Sequence, residues 1–358
     1  MPMRQQRSLS LARVDRQRPP PARKLSNCSH WRLPRLTAMT DFASRVAPAL
    51  RAALPRSLTA HLPSGPLTGL RIRELDAALA STSAAVTEPN GPVETAEFAG
   101  VPVRIHRPQS PTGSDPVLIW FHGGGMVMGS AAGSDGRARA FSDAASCGVV
   151  VPEYRLAPEH PAPAAHQDCL AVTRWVASHA ESIGVDQHRI ALGGISAGGN
   201  LALSTALVVR GEMDISLVLA LCPMLDDRTA TCDDDDRPVW NSRLNSTAWR
   251  AYLRPHEPGS YGVDWTLAPA RCPDVSGLAP LYLDVGSLDL FLKEDLALAA
   301  RAAQAGTSVE VHVVPDAYHA WDSLVPDAPE SHLAARWRTA ALMRAWEIPG
   351  EASGAPAD

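Results

Sequence analysis

The sequence predicts an α/β protein with a mostly parallel central sheet flanked by helices. Three observations carry that expectation. Short apolar runs alternate with longer helix-patterned stretches from about residue 117 to residue 347. Glycine clusters at 123–125 and at 193, 194, 198 and 199 each adjoin such an apolar run. The 358 residues, 45% of them apolar, suffice for one large core, because a single α/β domain with insertions reaches this size.

Residues 1–38 hold nine Arg or Lys and one acid and lack the apolar stretch of a secretory signal. Arg-rich and acid-poor, they superficially resemble a transit peptide. With few apolar residues to offset the entropy of ordering, they read as a basic extension outside the folded body, with Met39 as an alternative start. A helical spacing runs over 41–54. Residues 93–98 and 101–107 read as strands joined in a hairpin by Ala99 and Gly100. Strand-like runs then fall at 117–121, 148–153, 189–193, 217–222, 280–285 and 309–314. Helix-like stretches lie between and after them, at 134–146, 163–181, 197–210, 292–305 and 331–347. This alternation is the pattern of a parallel sheet covered on both faces. The alternating run 309–314 suits an edge strand.

The interval 228–270 breaks the rhythm. It holds four aspartates at 233–236, then Trp240, Trp249, Tyr252, Tyr261 and Trp265. The acid run reads as a solvated loop, since a metal site needs convergent ligands. The aromatics suit either the packing of an inserted helix or the wall of a pocket. Residues 349–358 read as a flexible tail.

The net charge of −5 conceals an asymmetry. Beyond residue 38 the chain carries 24 basic and 37 acidic residues, a balance that argues against nucleic acid as a partner. No run of about 18 apolar residues offers a membrane span, so stable membrane insertion is not expected. The cysteines at 28, 147, 169, 222, 232 and 272 form no CxxC pair or metal-ligand spacing. They read as reduced thiols in a cytoplasmic protein.

Two motifs carry chemistry. Arg189-Ile-Ala-Leu192 leads into Gly194-Ile-Ser-Ala-Gly198, and a helix-compatible run follows from Asn200. A serine on a sharp strand-to-helix turn projects its oxygen into open space, and glycines two residues to either side leave room for the turn. The helix N-terminus behind it presents unpaired N–H groups where negative charge can develop. Separately, His122-Gly-Gly-Gly125 follows the run 116–121 at once. Consecutive glycines let backbone N–H groups face an oxyanion unobstructed.

With these motifs the chain resembles the hormone-sensitive-lipase-like carboxylesterases (bacterial family IV) of the α/β-hydrolase superfamily, over roughly residues 90 to 348. The segment Glu153-Tyr-Arg-Leu-Ala-Pro-Glu-His-Pro161 is its most specific match. Further matches are Gly184-Val-Asp186, Pro223-Met-Leu-Asp-Asp-Arg228 and Asp284-Val-Gly-Ser-Leu-Asp289. Ile195 departs from the family's usual Asp or Thr, and Ala320-Trp321 from its frequent Gly-Phe. The resemblance implies an α/β-hydrolase fold with a helical cap. The cap would come from about 39–90 and 228–265, and the core from about 91–227 and 266–348.

The resemblance also implies a serine nucleophile, an acid and a histidine in that chain order. Ser196 is the nucleophile. Of His256, His312, His319 and His332, only His319 follows the last strand in a loop. Asp289 occupies the family's acid position; Asp284 at the strand end is its rival, better suited to a structural hydrogen bond, and Asp295 enters a helix. Gly123, Gly124 and Ala197 match the oxyanion-binding positions. Tyr154, Arg155, Glu159 and His160 read as braces for the loops.

The activity so implied is hydrolysis of short- to medium-chain carboxylic esters, with a small-molecule ester as partner and no metal or organic cofactor. A homodimer is compatible with this reading. Amide or lactone hydrolysis would use the same residues, and a ligand-binding role, as in the plant gibberellin receptors that lack the full triad, is the alternative of another class.

Overall fold

Eight strands hydrogen-bond into one sheet: β1 (Glu94–Phe98), β2 (Val101–His106), β3 (Asp115–Phe121), β4 (Gly148–Pro152), β5 (Val185–Ile195), β6 (Leu217–Leu221), β7 (Leu281–Gly286) and β8 (Val309–Val314). Their order is β1-β2-β4-β3-β5-β6-β7-β8. β2 alone runs against the rest, pairing antiparallel with β1 and β4, and every other pairing is parallel. The computed structural model describes residues 39–54, 58–62, 67–82, 91–231 and 237–347. The basic extension 1–38, the tail 349–358 and the aspartates 233–236 lie outside these residues.

Strands β3, β4, β6 and β7 are buried along their whole length, as the run-on apolar sequence requires of parallel strands with both faces covered. Successive side chains alternate between the faces. Val117, Ile119 and Phe121 of β3 join a core with α5 (Ala164–Ser178) and α6 (Ala197–Val209). Leu118 and Trp120 join a second core with α4 (Asp135–Ala145) and α10 (Pro329–Ala345). Helix α8 (Leu292–Gln304) precedes β8, which forms the sheet's edge as its alternation implies.

The helical run expected over 41–54 is broken. It forms α1 (Met39–Arg45) and α2 (Pro48–Arg51), with Ala47 extended at φ −51°, ψ 135°. A residue before proline is disfavoured in the helical region, because the proline ring crowds its backbone and Cβ. The break turns Phe42, Val46 and Leu50 onto a cluster that includes Val314, Tyr318 and Trp321. The Ala47 N–H donates to the Asp316 carbonyl at 3.0 Å, and the Tyr318 hydroxyl to that of Leu50 at 3.2 Å. The segment thus packs on the loop that follows β8.

Outside the sheet rhythm lie α3 (Gly69–Thr82) and α7 (Ser242–Tyr252). They meet where a Cβ on Gly69 would touch Ala251 and Val127 at 3.3 Å. Arg73 of α3 is bonded to Glu159 and to the Val127 and Ala157 carbonyls.

Asp284, within the last half of β7, is part of a buried ionic network. The Arg338 guanidinium of α10 donates to both its oxygens at 2.6 and 3.0 Å, and the Tyr282 hydroxyl donates at 3.0 Å. Arg338 also bonds Asp322 of α9 (Trp321–Leu324), which Arg137 of α4 reaches at 2.8 Å. Burial would raise the Asp322 carboxyl, but Arg137 and Arg338 hold it well below the usual range. Removing one member of such a buried set strands the others uncompensated, at a cost of about 3–5 kcal/mol. Arg338→Met should therefore lower the denaturation free energy by about that amount, read by urea melts. A loss below about 1 kcal/mol would show the network to be energetically idle.

Candidate active site

Ser196 stands between β5 and α6 with φ 57° and ψ −116°, a conformation that only a tightly constrained turn imposes on a residue with a side chain. The constraint is contact. A Cβ on Gly194 would lie 2.2 Å from the Gly198 carbonyl, and one on Gly198 would lie 1.9 Å from the Phe121 oxygen. Helix α6 therefore starts pressed against the end of β3, with the serine oxygen pointing out of the turn. The Ser196 N–H donates to the Leu221 carbonyl at 2.8 Å, fixing the turn to β6.

His319 lies in the loop after β8, and Asp289 in the loop after β7. Three hydrogen bonds join these loops. The Ser287 N–H donates to the Val314 carbonyl at 2.9 Å, the Leu288 N–H to the Ala317 carbonyl at 3.0 Å, and the Asp316 N–H to Ser287 Oγ at 2.8 Å. The imidazole is thereby positioned between the carboxyl and the serine. His319 Nδ1 is 2.8 Å from Asp289 Oδ2, and His319 Nε2 is 3.0 Å from Ser196 Oγ. A carboxylate only accepts, so Nδ1 carries the proton and Nε2 presents its lone pair to the serine hydroxyl. The second carboxylate oxygen accepts from the Phe291 N–H at 3.0 Å, and the Phe291 ring meets the imidazole edge-on at 5.1 Å. All three polar residues are buried.

Gly123 lies beside the turn, where its Cβ would stand 3.1 Å from the Ile195 oxygen and 3.7 Å from the Ser196 Cβ. Gly124 and Gly125 have φ of +117° and +61°. Among the described residues neither Gly123 nor Gly124 donates its N–H to a protein acceptor. Ala197 is the first residue of α6, a position whose N–H has no partner within a helix. Beneath this loop the His122 and Tyr154 rings stack at 4.0 Å, and the Tyr154 hydroxyl donates to the His122 carbonyl at 2.7 Å. Burial pushes the His122 imidazole down to about 4, so it is neutral at pH 7.

The remaining sequence candidates fall elsewhere. Asp284 is committed to Arg338, and His312 of β8 stacks on Trp337 and bonds Glu310. His332 lies on α10 and His256 follows α7. Arg155 grips Asp168 through both guanidinium and backbone donors.

Sequence reasoning left the role of Trp240 open and passed over Cys222 and Glu294. The Trp240 ring packs on Gly125, whose Cβ would come within 2.4 Å of it, and lies 6.3 Å from the His319 ring. It both anchors the start of α7 and walls the glycine loop. Trp249 and Tyr252 are buried packing residues, whereas Tyr261 is exposed. Cys222, directly after β6, is buried beside His319 and Asp289. Glu294 accepts from the Leu225 and Asp226 N–H groups at 2.7 and 3.1 Å, holding the chain after β6. Nothing local marks these residues, although Cys222 stands directly beyond a strand end, where α/β sheets gather ligands.

The fold and the buried serine–histidine–carboxylate set define an α/β hydrolase. Residues 118–323 match the family described as alpha/beta hydrolase fold, and the chain belongs to that family. It is 35% identical over 262 residues to "Esterase LipI" of Mycobacterium tuberculosis, covering 69% of this chain and 77% of that one. The solved structure titled "Bacterial Heroin Esterase" superposes with a TM-score of 0.77 at 33% identity, covering 84% of this chain and 98% of that chain. An esterase described as from the bacterial hormone-sensitive lipase family superposes with a TM-score of 0.72 at 28% identity, covering 85% and 99%. The resemblance read from the HGGG segment, the serine turn and the 153–161 segment is borne out.

Asp295 of α8 is fully buried, and neither of its carboxyl oxygens has a hydrogen-bond partner among the described residues. Burial, reinforced by Glu294, Asp289 and Asp284, holds its carboxyl well above the usual range. An acid raised on folding leaves stability intact below its unfolded value, 3.8 here. Stability then falls as pH rises toward the folded value, by up to about 1.4 kcal/mol per pH unit. Asp295→Asn should therefore be at least as stable as the unsubstituted protein at pH 7, with the advantage vanishing near pH 4. Urea midpoints across that range check this, and a constant deficit at every pH contradicts it.

Proposed function

We propose that this chain is a serine carboxylesterase that hydrolyses short- to medium-chain esters of small molecules through an acyl-enzyme. The observation that carries this reading is the unbroken Ser196–His319–Asp289 series at 3.0 and 2.8 Å on a strained turn. Ser196 Oγ attacks the ester carbonyl carbon while its proton passes to His319 Nε2. Asp289 orients the ring and stabilises its charged form without taking the proton. The N–H groups of Gly123, Gly124 and Ala197 receive the oxyanion, each worth about 3 kcal/mol in the transition state. Collapse breaks the bond to the leaving oxygen, which takes the proton from Nε2. Water repeats the sequence on the acyl carbon, releasing the acid and restoring Ser196.

Helices α3 and α7 act as the cap, and Trp240 limits the room beside the glycine loop. That supports soluble esters of about two to eight acyl carbons, an estimate from pocket filling. Among the described residues no helix is long and apolar enough to cross a membrane. The four described cysteines are free and buried, which supports a reducing, cytoplasmic setting.

A fluorophosphonate probe should label Ser196 stoichiometrically, and Ser196→Ala should abolish labelling and hydrolysis of a chromogenic acetate ester. Asp289→Asn should lower kcat by about ten-thousandfold in a folded protein, whereas Asp284→Asn should act first on stability. Labelling at another serine, or binding of esters without turnover, would overturn the reading.

Replacing Trp240 tests the pocket. Each further methylene accommodated is worth about 0.8 kcal/mol, so Trp240→Ala should move the chain-length optimum upward by several carbons. A profile identical to that of the unsubstituted enzyme would remove Trp240 from the pocket wall.

A further inference from the structure

Cys222 is the one thiol of the described residues that meets the hydrolytic set. Its Sγ, a carboxylate oxygen of Asp289 and an imidazole nitrogen of His319 all lie within 4.8 Å of one another. The three side chains are buried, at 1%, 3% and 4% exposure. They come from the ends of different strands, β6, β7 and β8, so the sheet itself brings them together. Ester hydrolysis as derived above gives the thiol no part.

We propose that Cys222, Asp289 and His319 form an inhibitory site for a thiophilic divalent cation of the Zn2+ class. The inference rests on the reading of Ser196, His319 and Asp289 as the hydrolytic residues.

The donor set is the first argument. Thiolate, imidazole and carboxylate are the three ligand types that Zn2+ takes from proteins, at roughly 2.0–2.3 Å each in a tetrahedral shell. Tetrahedral donors at those lengths stand roughly 3.3–3.8 Å apart, so a set spread over at most 4.8 Å closes by shifts on the order of one ångström. Three protein ligands leave a fourth position open to water.

The surroundings are the second argument. Asp284 and Asp322 are matched by Arg338 and Arg137. The unmatched carboxylate near the thiol is Asp289, and a dication bound beside it would compensate that charge.

The chemical consequence follows from the tautomer. The ion binds Sγ with release of the thiol proton to solvent. It takes the place now held by the Nδ1 proton between the ring and Asp289 Oδ2, and that proton moves to Nε2. The lone pair that faced Ser196 is then occupied by a proton, and the ring cannot accept the serine's. No electron changes hands, and chelation reverses every step.

The test uses the full-length enzyme stripped of metal. Zn2+ should inhibit hydrolysis of a chromogenic acetate ester and slow fluorophosphonate labelling of Ser196, and a chelator should restore both. Cys222→Ala should hydrolyse the ester normally without metal. Its half-inhibitory Zn2+ concentration should rise at least about a hundredfold, since losing a direct ligand costs more than the 10–100-fold of an outer-shell partner. Cd2+ supplies a readout independent of activity. It should give a thiolate-to-metal ultraviolet band in the unsubstituted chain that is weaker by one thiolate in Cys222→Ala and weaker also in His319→Ala. Should the alanine variant fail to fold, Cys222→Ser carries the same comparisons. Equal Zn2+ sensitivity with and without Cys222, or a Cd2+ band unchanged by its removal, would overturn the site. A chain that neither hydrolyses esters nor takes the probe in the absence of metal would instead overturn the esterase reading, leaving the Cd2+ result to judge the metal site alone.

Discussion

Helix α6 begins where β3 ends, and the two approach so closely that a Cβ on Gly198 would lie 1.9 Å from the Phe121 carbonyl oxygen. Gly194 is under the same pressure from the Gly198 backbone. That contact forces the chain to reverse over two residues, drives Ser196 to positive φ, and brings the Ala197 N–H beside the glycine loop. The same approach sets Gly123 against Ile195 and Ser196. Serine, helix N-terminus and HGGG loop are therefore consequences of one packing constraint. Strain of this kind costs on the order of 1–3 kcal/mol and persists only where surrounding structure over-determines it. Here that surrounding is the fully buried β3 and β6 and the buried second half of β5, from Ile190 to Ile195.

The other half of the site depends on the sheet's C-terminal strands. Asp289 and His319 come from loops after β7 and β8, which would be free to drift without further ties. Backbone bonds between the loops, the Asp284–Arg338–Asp322 network below them, and α1–α2 packed on Tyr318 and Trp321 hold the imidazole to the serine side. Asp284 and Asp289, five residues apart, divide the labour: one joins β7 to α10, the other orients His319.

Much of this was legible in the sequence because it is written in local pattern. The buried strands β3, β4, β6 and β7 carry the unbroken apolar runs their burial demands, and Gly194 and Gly198 announce the turn. The helix over 41–54 was misjudged because apolar spacing continued through Pro48, whose ring restricts Ala47 and breaks the run. Trp240, Cys222 and Asp295 were beyond local pattern for another reason. Trp240 and Cys222 acquire their meaning from neighbours far along the chain, Gly125 and His319, whereas Asp295 acquires its own from burial against Glu294, Asp289 and Asp284. Apolar periodicity reports burial but not which buried groups meet.

The central claim is that the constrained turn makes Ser196 a covalent nucleophile. Rapid-quench mass spectrometry on the enzyme mixed with an excess of an activated acetate ester tests it most directly. The account predicts an early population carrying one acetyl group on the peptide that contains Ser196, formed faster than steady-state turnover and decaying as substrate is exhausted. Asp289→Asn should slow its formation. Turnover at the normal rate with no acyl group on Ser196 at any time, or with the acyl group on another residue, would contradict the account.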